Sequence, residues 1–498
     1  MLDAIDDAAG WLAVGRRRRW ILATVALAVV AVGVFARYWL LHTPLGRIDS
    51  DEATTGLMAR GVLHGNFAAV VSGNNYGGTL EAFIYAPFYW LFGPNVTVFK
   101  CLAIAEWVAV GAVLGKLGAM LWARAVGMFL ALSLWVCGPW TVFLSTRLFL
   151  GYPSGALCLG GFAWCCISMA RLDTLEGVRA QWHAAIAGLL AGLAFWQHPL
   201  AVATVLPGLV GLYVDLRRHT MAQRVRLLRW LVPAAFVGVF PFFWYNAANS
   251  WPSKSFPQLP GSTLLGREHA MYTQMMARGF GLRDLSGRWT FGRPAALVLV
   301  VLIAAMWLGA LRLLKTHAAI GLAGIFGPPI MAAFPSLYAV ADGHYFTFIL
   351  IPIFVCVAAV LPRSIRWDTL RPLAISAVAV TLAAATLVGF DHGLPHHFGD
   401  ANGDVKELAA GLEATNFTHI RTDYWLAYRL VFVSNNQIIS ASSLPTRFPA
   451  IDKEANDSPR LAFVAYVGDA SDVTWQRIFP ERRRFTIGPF AIFAPRGT

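Results

Sequence analysis

The fold is decided near the start of the chain by residues 20–41, which read WILATVALAVVAVGVFARYWLL. A helix needs about 20 predominantly apolar residues to cross the ~30 Å hydrocarbon core of a bilayer, and this run is long enough. Residues 16–19 are all arginine, and basic residues are enriched in loops that stay in the cytoplasm. The stretch therefore predicts a first span that leaves the cytoplasm, with residues 1–19 as a cytoplasmic lead-in.

The composition extends this prediction to most of the chain. Of the 498 residues, 57% are hydrophobic and only 13% are charged, whereas a soluble protein carries about 25% charged residues to wet its surface. Long apolar runs recur up to residue 390, and the remaining residues have ordinary charge density. The composition excludes a soluble enzyme and predicts a membrane domain at residues 20–390, followed by a second domain at residues 391–498.

The net charge of +13 lies mostly in short basic clusters between the apolar runs. Such clusters are typical of cytoplasmic loops, so they indicate topology, and we expect no nucleic-acid partner. Placing every cluster in the cytoplasm gives about eleven spans. They are predicted at residues 20–41, 97–115, 125–144, 152–170, 183–197, 199–215, 229–246, 294–313, 318–337, 345–361 and 372–390.

The aromatic-rich segment 79–92 does not cross the bilayer in this topology. If it crossed, the basic loop after the next span would fall outside the cytoplasm, so we expect an amphipathic helix in the membrane interface. The N-terminus is then cytoplasmic, while the loop at residues 42–95 and the C-terminal domain are extracytoplasmic. The basic, Ala-rich sequence is typical of bacteria and points to the inner membrane.

The C-terminal domain has the pattern of a small α/β fold. Residues 405–414 have helical apolar spacing, and the segments 418–422, 437–440 and 461–467 have the composition of strands. A closing hairpin is expected at residues 484–495. The predicted fold class is a polytopic α-helical membrane protein with a small C-terminal α/β domain outside the cytoplasm.

Three acidic residues, Asp49, Asp51 and Glu52, follow the first span directly. One interpretation is helix capping, with Asp49 or Ser50 as the N-cap and the next two acids complementing the helix dipole. The other is chemical, because carboxylates at a membrane face are costly unless they are solvated or used. In that case the cluster supplies a general base or a metal-binding acid at the bilayer surface.

The residues around this cluster resemble a known family. Asp51-Glu52-Ala53, followed by a short helical stretch and then by residues 64–67 (His-Gly-Asn-Phe), is similar to the first outer loop of GT-C membrane glycosyltransferases. The similarity is to the protein O-mannosyltransferases and the lipid A aminoarabinose transferases. The resemblance extends to three further stretches: residues 91–93 (Leu-Phe-Gly), His344-Tyr345 before an apolar run, and residues 423–429 (Asp-Tyr-Trp-Leu-Ala-Tyr-Arg).

The chain also departs from that family at two positions. Residues 72–78 read SGNNYGG where the family commonly has a Lys-Pro-Pro element, so a cation that could meet the donor phosphate is missing there. His344 stands where the family often has arginine. The donor contacts of the family therefore cannot be copied unchanged onto this sequence.

The resemblance implies a GT-C fold and a specific reaction. A sugar carried on a polyprenyl monophosphate is passed, usually with inversion, to an acceptor hydroxyl on a glycan, lipid or protein. Asp51 matches the family's Asp-Glu pair and is the predicted general base. Glu52 or Asp49 is expected to orient the base or to hold a divalent metal, and no other cofactor is expected.

The leaving phosphate gains charge as the glycosidic bond breaks, so the reaction also needs fixed hydrogen-bond donors or cations. Each candidate has a structural alternative: a snorkelling anchor at the interface, the cap of a helix end, or part of an amphipathic helix at residues 262–278 that only covers the site. The candidates for this substrate-binding role are Arg147, His198, Arg267, His269 and His344 with Tyr345.

The main alternative to a glycosyltransferase is a polytopic lipid or sugar transporter or flippase without transfer chemistry. That class of protein often shows paired halves and charged residues within the spans. No internal repeat is visible in this sequence, and the predicted spans are nearly free of acids. A non-catalytic scaffold would leave the acids at residues 49–52 with no task beyond capping.

Overall fold

The structure is a computed structural model that describes residues 16–148, 151–254, 263–334, 343–360 and 398–496. The predicted last span, residues 372–390, lies outside the described residues, as do the basic cluster before it and most of the predicted cytoplasmic lead-in.

The first half of the chain is mainly helical. In chain order its helices are α1 (Arg16–Leu41), α2 (Ser50–Leu63), α3 (Leu80–Phe92), α4 (Val96–Leu121), α5 (Arg124–Trp135), α6 (Gly138–Ser145), α7 (Tyr152–Ala170), α8 (Val178–Gln197), α9 (Val202–Asp215) and α10 (Met221–Ala248).

The next part continues with α11 (Leu264–Ala270), which runs through a π-helical turn (Met271–Met276) into α12 (Ala277–Gly279). The described helices that follow α12 are α13 (Arg293–Leu313), α14 (Ala318–Ala333), a 3₁₀ segment (Gly343–Phe348) and α15 (Leu350–Ala358).

Six helices among the described residues are long and apolar enough to cross a membrane: Ala23–Leu41, Val96–Leu121, Tyr152–Ala170, Pro199–Arg218, Met221–Ala248 and Arg293–Leu313. Each coincides with a predicted span, so the prediction of a polytopic helical protein is confirmed. The total of about eleven stays a prediction, because α8 is not among these six, α14 and α15 are short, and residues 372–390 lie outside the described residues. The segment at 79–92 forms helix α3, and its interfacial position also stays a prediction.

The predicted span 125–144 is broken into α5 and α6, which meet at an angle of 82°. The break falls at residues 136–137, and the next helix begins at Gly138, which has a positive φ of 79°, with Pro139 in its first turn. The buried Arg37 of α1 donates to the carbonyl of Trp135 at 3.1 Å and lies over its ring. The Arg37 guanidinium thus donates to a free backbone carbonyl at the end of α5, inside the membrane part, where water is not available as a donor.

The C-terminal domain carries one five-stranded sheet. Its elements are α16 (Gly403–Ala414), β1 (His419–Thr422), α17 (Tyr424–Val433), β2 (Ile439–Ser442), α18 (Pro449–Asn456), β3 (Ala462–Tyr466), α19 (Ala470–Ile478), β4 (Arg483–Ile487) and β5 (Phe490–Ala494). The strand order is β2-β1-β3-β5-β4, with β1 parallel to both neighbours and β5 antiparallel to both of its own. The predicted α/β domain is therefore confirmed.

The C-terminal domain packs on the membrane part through helix α17. Tyr428 and Phe432 of α17 share one buried apolar cluster with Leu57 of α2 and Tyr85 of α3. The two helices approach closely at Gly56, where an added Cβ would lie 2.5 Å from the ring of Phe432. This contact brings the start of α17 to the start of α2, where the acidic residues lie.

Candidate active site

Helix α2 begins with a capping box. Asp49 is the N-cap: its carboxylate accepts from the Glu52 amide at 2.9 Å, and the Glu52 carboxylate accepts from the Asp49 amide at 3.3 Å. Arg147 donates to the other oxygen of Asp49. The capping interpretation is therefore right for Asp49, whose carboxylate is used to start the helix and to pair with Arg147.

Glu52 forms a buried ion pair with Lys100 of α4. The Lys100 amine lies 2.7 and 2.8 Å from the two carboxylate oxygens, and Glu52 is fully buried. The Leu148 amide donates to the same carboxylate at 3.2 Å, and Arg147 lies 3.9 Å away. A buried carboxylate is tolerated only when it is paired and hydrogen-bonded, and this one is.

Asp51 is held differently, by two residues of the C-terminal domain. The Tyr424 hydroxyl donates to Asp51, and Arg447 donates to the same oxygen at 3.0 Å. The Arg447 guanidinium also donates to the Tyr424 oxygen at 3.0 Å. Burial and the charge of Asp49 raise the pKa of Asp51, against the opposing effect of Arg447. Asp51 therefore has a proton affinity above that of an ordinary aspartate, which suits a general base.

The loop at residues 72–73 fixes Arg447 from the other side. Ser72 donates to the Arg447 carbonyl at 2.6 Å, and Arg447 donates to the Gly73 carbonyl at 3.1 Å. Gly73 has a φ of +68°, and an added Cβ would lie 2.5 Å from the Thr446 carbonyl oxygen. Only glycine permits this backbone approach.

A cluster of tyrosine, histidine and phenylalanine rings adjoins Asp51. Burial raises the pKa of Tyr76, Arg447 lowers it and Asp51 raises it, so this phenol lies within electrostatic reach of both. Its ring is 5.2 Å from His198, and Tyr152 stacks on His198 at 5.7 Å. His344 and Tyr345 lie 5.0 and 5.6 Å from Tyr152. We call these five residues, together with Phe348 at 4.9 Å from His198, the ring cluster.

A buried hydrogen-bond network supports the ring cluster. Gln197 donates to Ser154, which donates to Glu81. The Gly78 amide donates to the Gln197 carbonyl, and the Leu80 amide donates to its side-chain oxygen. The loop that carries Tyr76, the start of α7 and the residue before His198 are thereby tied together.

The structure brings some of the predicted site residues together and leaves others apart. Asp51, His198, His344 and Tyr345 belong to one region, formed by the Asp51 contacts and the ring cluster. Arg147 lies beside it but pairs with Asp49 and lies over Phe143 at 4.5 Å.

The two predicted residues on α11 have other surroundings. The Arg267 guanidinium donates to the Ala332 carbonyl at 2.7 Å, and His269 is exposed. The predicted helix at 262–278 is present as the run from Leu264 to Gly279. The substrate-binding roles of both residues stay predictions.

Sequence reasoning missed several residues that now line the site. Tyr424 lies within the 423–429 segment that was noted only for its resemblance, and Lys100 is a lone cation in a predicted span, a signal that it has a buried partner. Tyr76, Tyr152 and Arg447 carry no pattern that marks them in a single sequence.

The carboxylates that the sequence suggests as metal ligands do not fit that role. Within the described parts of the chain, no group of three or more His, Cys, Asp or Glu side chains could hold a metal ion. The oxygens of Asp49 and Glu52 are already paired with Arg147 and Lys100. We derive no step through a metal.

Comparison with known proteins gives no match by sequence and a clear match by structure. No family model matches the chain, and no curated protein does. ArnT from Cupriavidus metallidurans in the apo state superposes with a TM-score of 0.60 at 12% identity, covering 98% of each chain. The structure of the same protein bound to undecaprenyl phosphate gives a TM-score of 0.57 at 12% identity, covering 95% of this chain and 98% of that one.

A third match is weaker and partial. It is the arabinofuranosyltransferase AftD from Mycobacteria, with a TM-score of 0.41 at 16% identity over 81% of this chain and 30% of that one.

The two ArnT matches extend over nearly the whole chain and define its class: the protein is a polytopic membrane protein with the GT-C fold. Within that fold it is similar to ArnT, including the C-terminal α/β domain.

Proposed function

We propose that this protein is a membrane glycosyltransferase that moves a sugar from a polyprenyl monophosphate carrier to an acceptor hydroxyl, with Asp51 as the general base. The observation that carries the proposal is the environment of Asp51: a carboxylate of raised pKa, held by Tyr424 and Arg447, beside the ring cluster. The ArnT structure with undecaprenyl phosphate supports this class of carrier.

The proposed reaction forms one bond and breaks one. The acceptor oxygen bonds to the anomeric carbon while Asp51 takes the hydroxyl proton, and the bond from that carbon to the phosphate oxygen breaks. The phosphate leaves as a monoester on its lipid, and attack from the opposite side inverts the anomeric configuration. Base assistance of this kind contributes roughly 10²–10⁴-fold to the rate.

The neighbouring acids take supporting roles in this mechanism. Asp49 and its partner Arg147 fix the start of α2, and the charge of Asp49 raises the proton affinity of Asp51. Glu52 and Lys100 anchor α2 on α4. The leaving phosphate is bound by donors of the ring cluster, among which His198, His344 and Tyr345 are the predicted contacts. We further propose an extracytoplasmic site in the bacterial inner membrane, with the N-terminus in the cytoplasm.

The test is the substitution Asp51→Asn. The asparagine side chain keeps an acceptor for Tyr424 and Arg447 but cannot take a proton. Because the folded-state pKa of Asp51 is raised, ionising it costs folding free energy as the pH rises, so D51N is expected to unfold at the wild-type temperature or above. In cells lacking the protein, a lipid-linked sugar should accumulate, and D51N should fail to clear it.

Asp423 provides the matched control, since it caps α17 through its carboxylate. Asparagine caps helices as well as aspartate does, so D423N should restore sugar transfer in the same cells. Clearance by D51N at the wild-type rate would refute the assignment of the base, and unfolding of D51N alone would favour a purely structural role for Asp51. A transporter or flippase needs no general base, so full clearance by D51N would also favour that alternative.

A further inference from the structure

His198 has a buried ring nitrogen that finds no hydrogen-bond partner in the part of the chain that the structure describes. Its Nε2 atom is buried, and no hydrogen-bond partner for it is found among the described residues. The side chain is only 5% exposed. Most buried polar groups are hydrogen-bonded, because leaving one unpaired costs free energy, so an unpaired nitrogen beside a candidate active site needs an explanation.

The protonation state of His198 is fixed by its own backbone surroundings. The Leu200 amide donates to Nδ1 at 3.2 Å, so Nδ1 carries no proton. In the neutral imidazole the proton then lies on Nε2, which is a donor. Burial and the nearby His344 lower the pKa of His198 to about 3. The ring is therefore neutral at physiological pH, and its Nε2–H donor is present throughout.

The position of His198 is also fixed, and its polar surroundings suit an anion. The residue precedes the 3₁₀ turn Pro199–Ala201, which leads into α9, and the Leu200 and Ala201 amides of that turn donate back to Nδ1 and to the carbonyl of His198. The polar groups of the ring cluster are the phenols of Tyr76, Tyr152 and Tyr345 and the imidazole of His344, each of which can donate a hydrogen bond.

We propose that the Nε2–H of His198 binds a phosphate oxygen of the lipid carrier as a neutral donor. This inference rests on the proposed function and deepens it: for His198, which the sequence offers only as a candidate, it gives the contact atom and the protonation state. It also accounts for the missing Lys-Pro-Pro element at residues 72–78: this chain meets the phosphate with a neutral imidazole at that side of the site. His198 is a binding residue that stabilises the leaving group, and it transfers no proton.

The experiment measures the affinity of the purified full chain in nanodiscs for a polyprenyl monophosphate that carries no sugar. His198→Phe keeps a ring of similar size but removes the donor, and His198→Gln keeps a donor near the position of Nε2. A hydrogen bond to a charged group contributes enough to change an affinity by about 10-fold or more. H198F should weaken binding by that factor, and H198Q should recover most of it.

Two comparisons test the details. The ratio of the H198F and wild-type dissociation constants should stay constant from about pH 7 to about pH 8.5, since neither a neutral imidazole donor nor a phosphate dianion titrates there. A ratio that grows towards low pH would mean that His198 acts as a cation and would overturn the proposal. Competition by inorganic phosphate distinguishes a site that binds phosphate alone from one that also requires the lipid. Either result supports a phosphate contact, provided that H198F weakens binding of the lipid phosphate.

His183 is the matched control, a partly exposed histidine whose Nδ1 bonds to the Arg179 carbonyl. H183F should bind the lipid phosphate like the wild type. If H198F with an unchanged melting temperature binds as tightly as the wild type, His198 does not contact the phosphate, while the proposed function stands. If the wild type itself does not bind the lipid phosphate, the proposed function fails together with this inference.

Discussion

Three acids in four residues each meet a different cation: Asp49 meets Arg147, Glu52 meets Lys100 and Asp51 meets Arg447. The first two cations come from the helical membrane part, whereas the third comes from the C-terminal domain. Only Asp51 combines its cation with a phenol, Tyr424, that bonds to the same oxygen. Chemically similar side chains are therefore held by different sets of partners.

Arg447 is expected to set the pH at which Asp51 becomes an active base. Its charge favours the ionised carboxylate, so Arg447→Gln should raise the pKa of Asp51 further. A base works only when it is ionised, so the acid limb of kcat/KM should move to higher pH, by about one unit or more for the loss of an adjacent charge. A pH–rate profile measures the shift.

The control for this prediction is Arg477→Gln, which removes an exposed arginine on α19 of the same domain. Its profile should match the wild type. An unshifted acid limb in R447Q, at reduced rate, would mean that Arg447 only holds the C-terminal domain in place.

At the scale of elements, the packing of α2 against α4 depends on the Glu52–Lys100 ion pair. Breaking a buried ion pair by removing one partner costs about 3–5 kcal/mol, because the other charge stays buried and alone. Lys100→Met should therefore lower the unfolding temperature strongly. The double variant Glu52→Gln with Lys100→Met should recover part of the loss, since no lone charge remains.

An exposed pair of the same chemistry gives the comparison. Arg226 lies 3.6 Å from Glu176, and both side chains are about half exposed. Surface pairs contribute about 0–1 kcal/mol, so Arg226→Ala should leave the unfolding temperature nearly unchanged. Equal destabilisation by K100M and R226A would contradict the role given to the buried pair.

The elements also show where sequence reasoning succeeds. Apolar length and basic clusters located the described spans, because bilayer thickness fixes helix length and charge fixes loops to one side. The break between α5 and α6 was missed, since an apolar run reads the same whether it is straight or bent. Gly138-Pro139 was the available signal, and the carbonyl acceptor for Arg37 that the break creates could not be foreseen.

At the scale of the whole molecule, the site depends on how the C-terminal domain docks. Gly56→Ala should insert a methyl group against the Phe432 ring and shift α17 away from α2. Tyr424 and Arg447 would then move relative to Asp51, and sugar transfer should fall. Alanine favours a helix over glycine by about 1 kcal/mol, so any loss of stability arises from the contact.

Gly61 on the same helix is the matched control, because an added Cβ there meets its nearest atom at 3.5 Å, an ordinary contact. Gly61→Ala should retain transfer and unfold at the wild-type temperature or slightly above. Transfer and melting temperature are measured for both variants side by side, and full activity in G56A would show that the site tolerates a displaced domain.

The same long-range docking explains why the site was only partly predictable. The acids at 49–52 are visible in one short stretch, and resemblance singled out Asp51. Its partners Tyr424 and Arg447 lie 373 and 396 residues further along the chain. No local pattern links positions so far apart, and only the folded chain brings them together.

The arginine that completes the Asp51 environment has a practical consequence for engineering. A chimera that joins this membrane domain to the C-terminal domain of another GT-C protein would keep the Asp51 carboxylate. It would lose the Arg447 guanidinium, which lowers the pKa of that carboxylate. Hybrids of this kind should therefore be built by exchanging residues 51, 72–73 and 424–447 as one set. A chimera joined at an arbitrary domain boundary would fold, but its activity would have a shifted pH dependence.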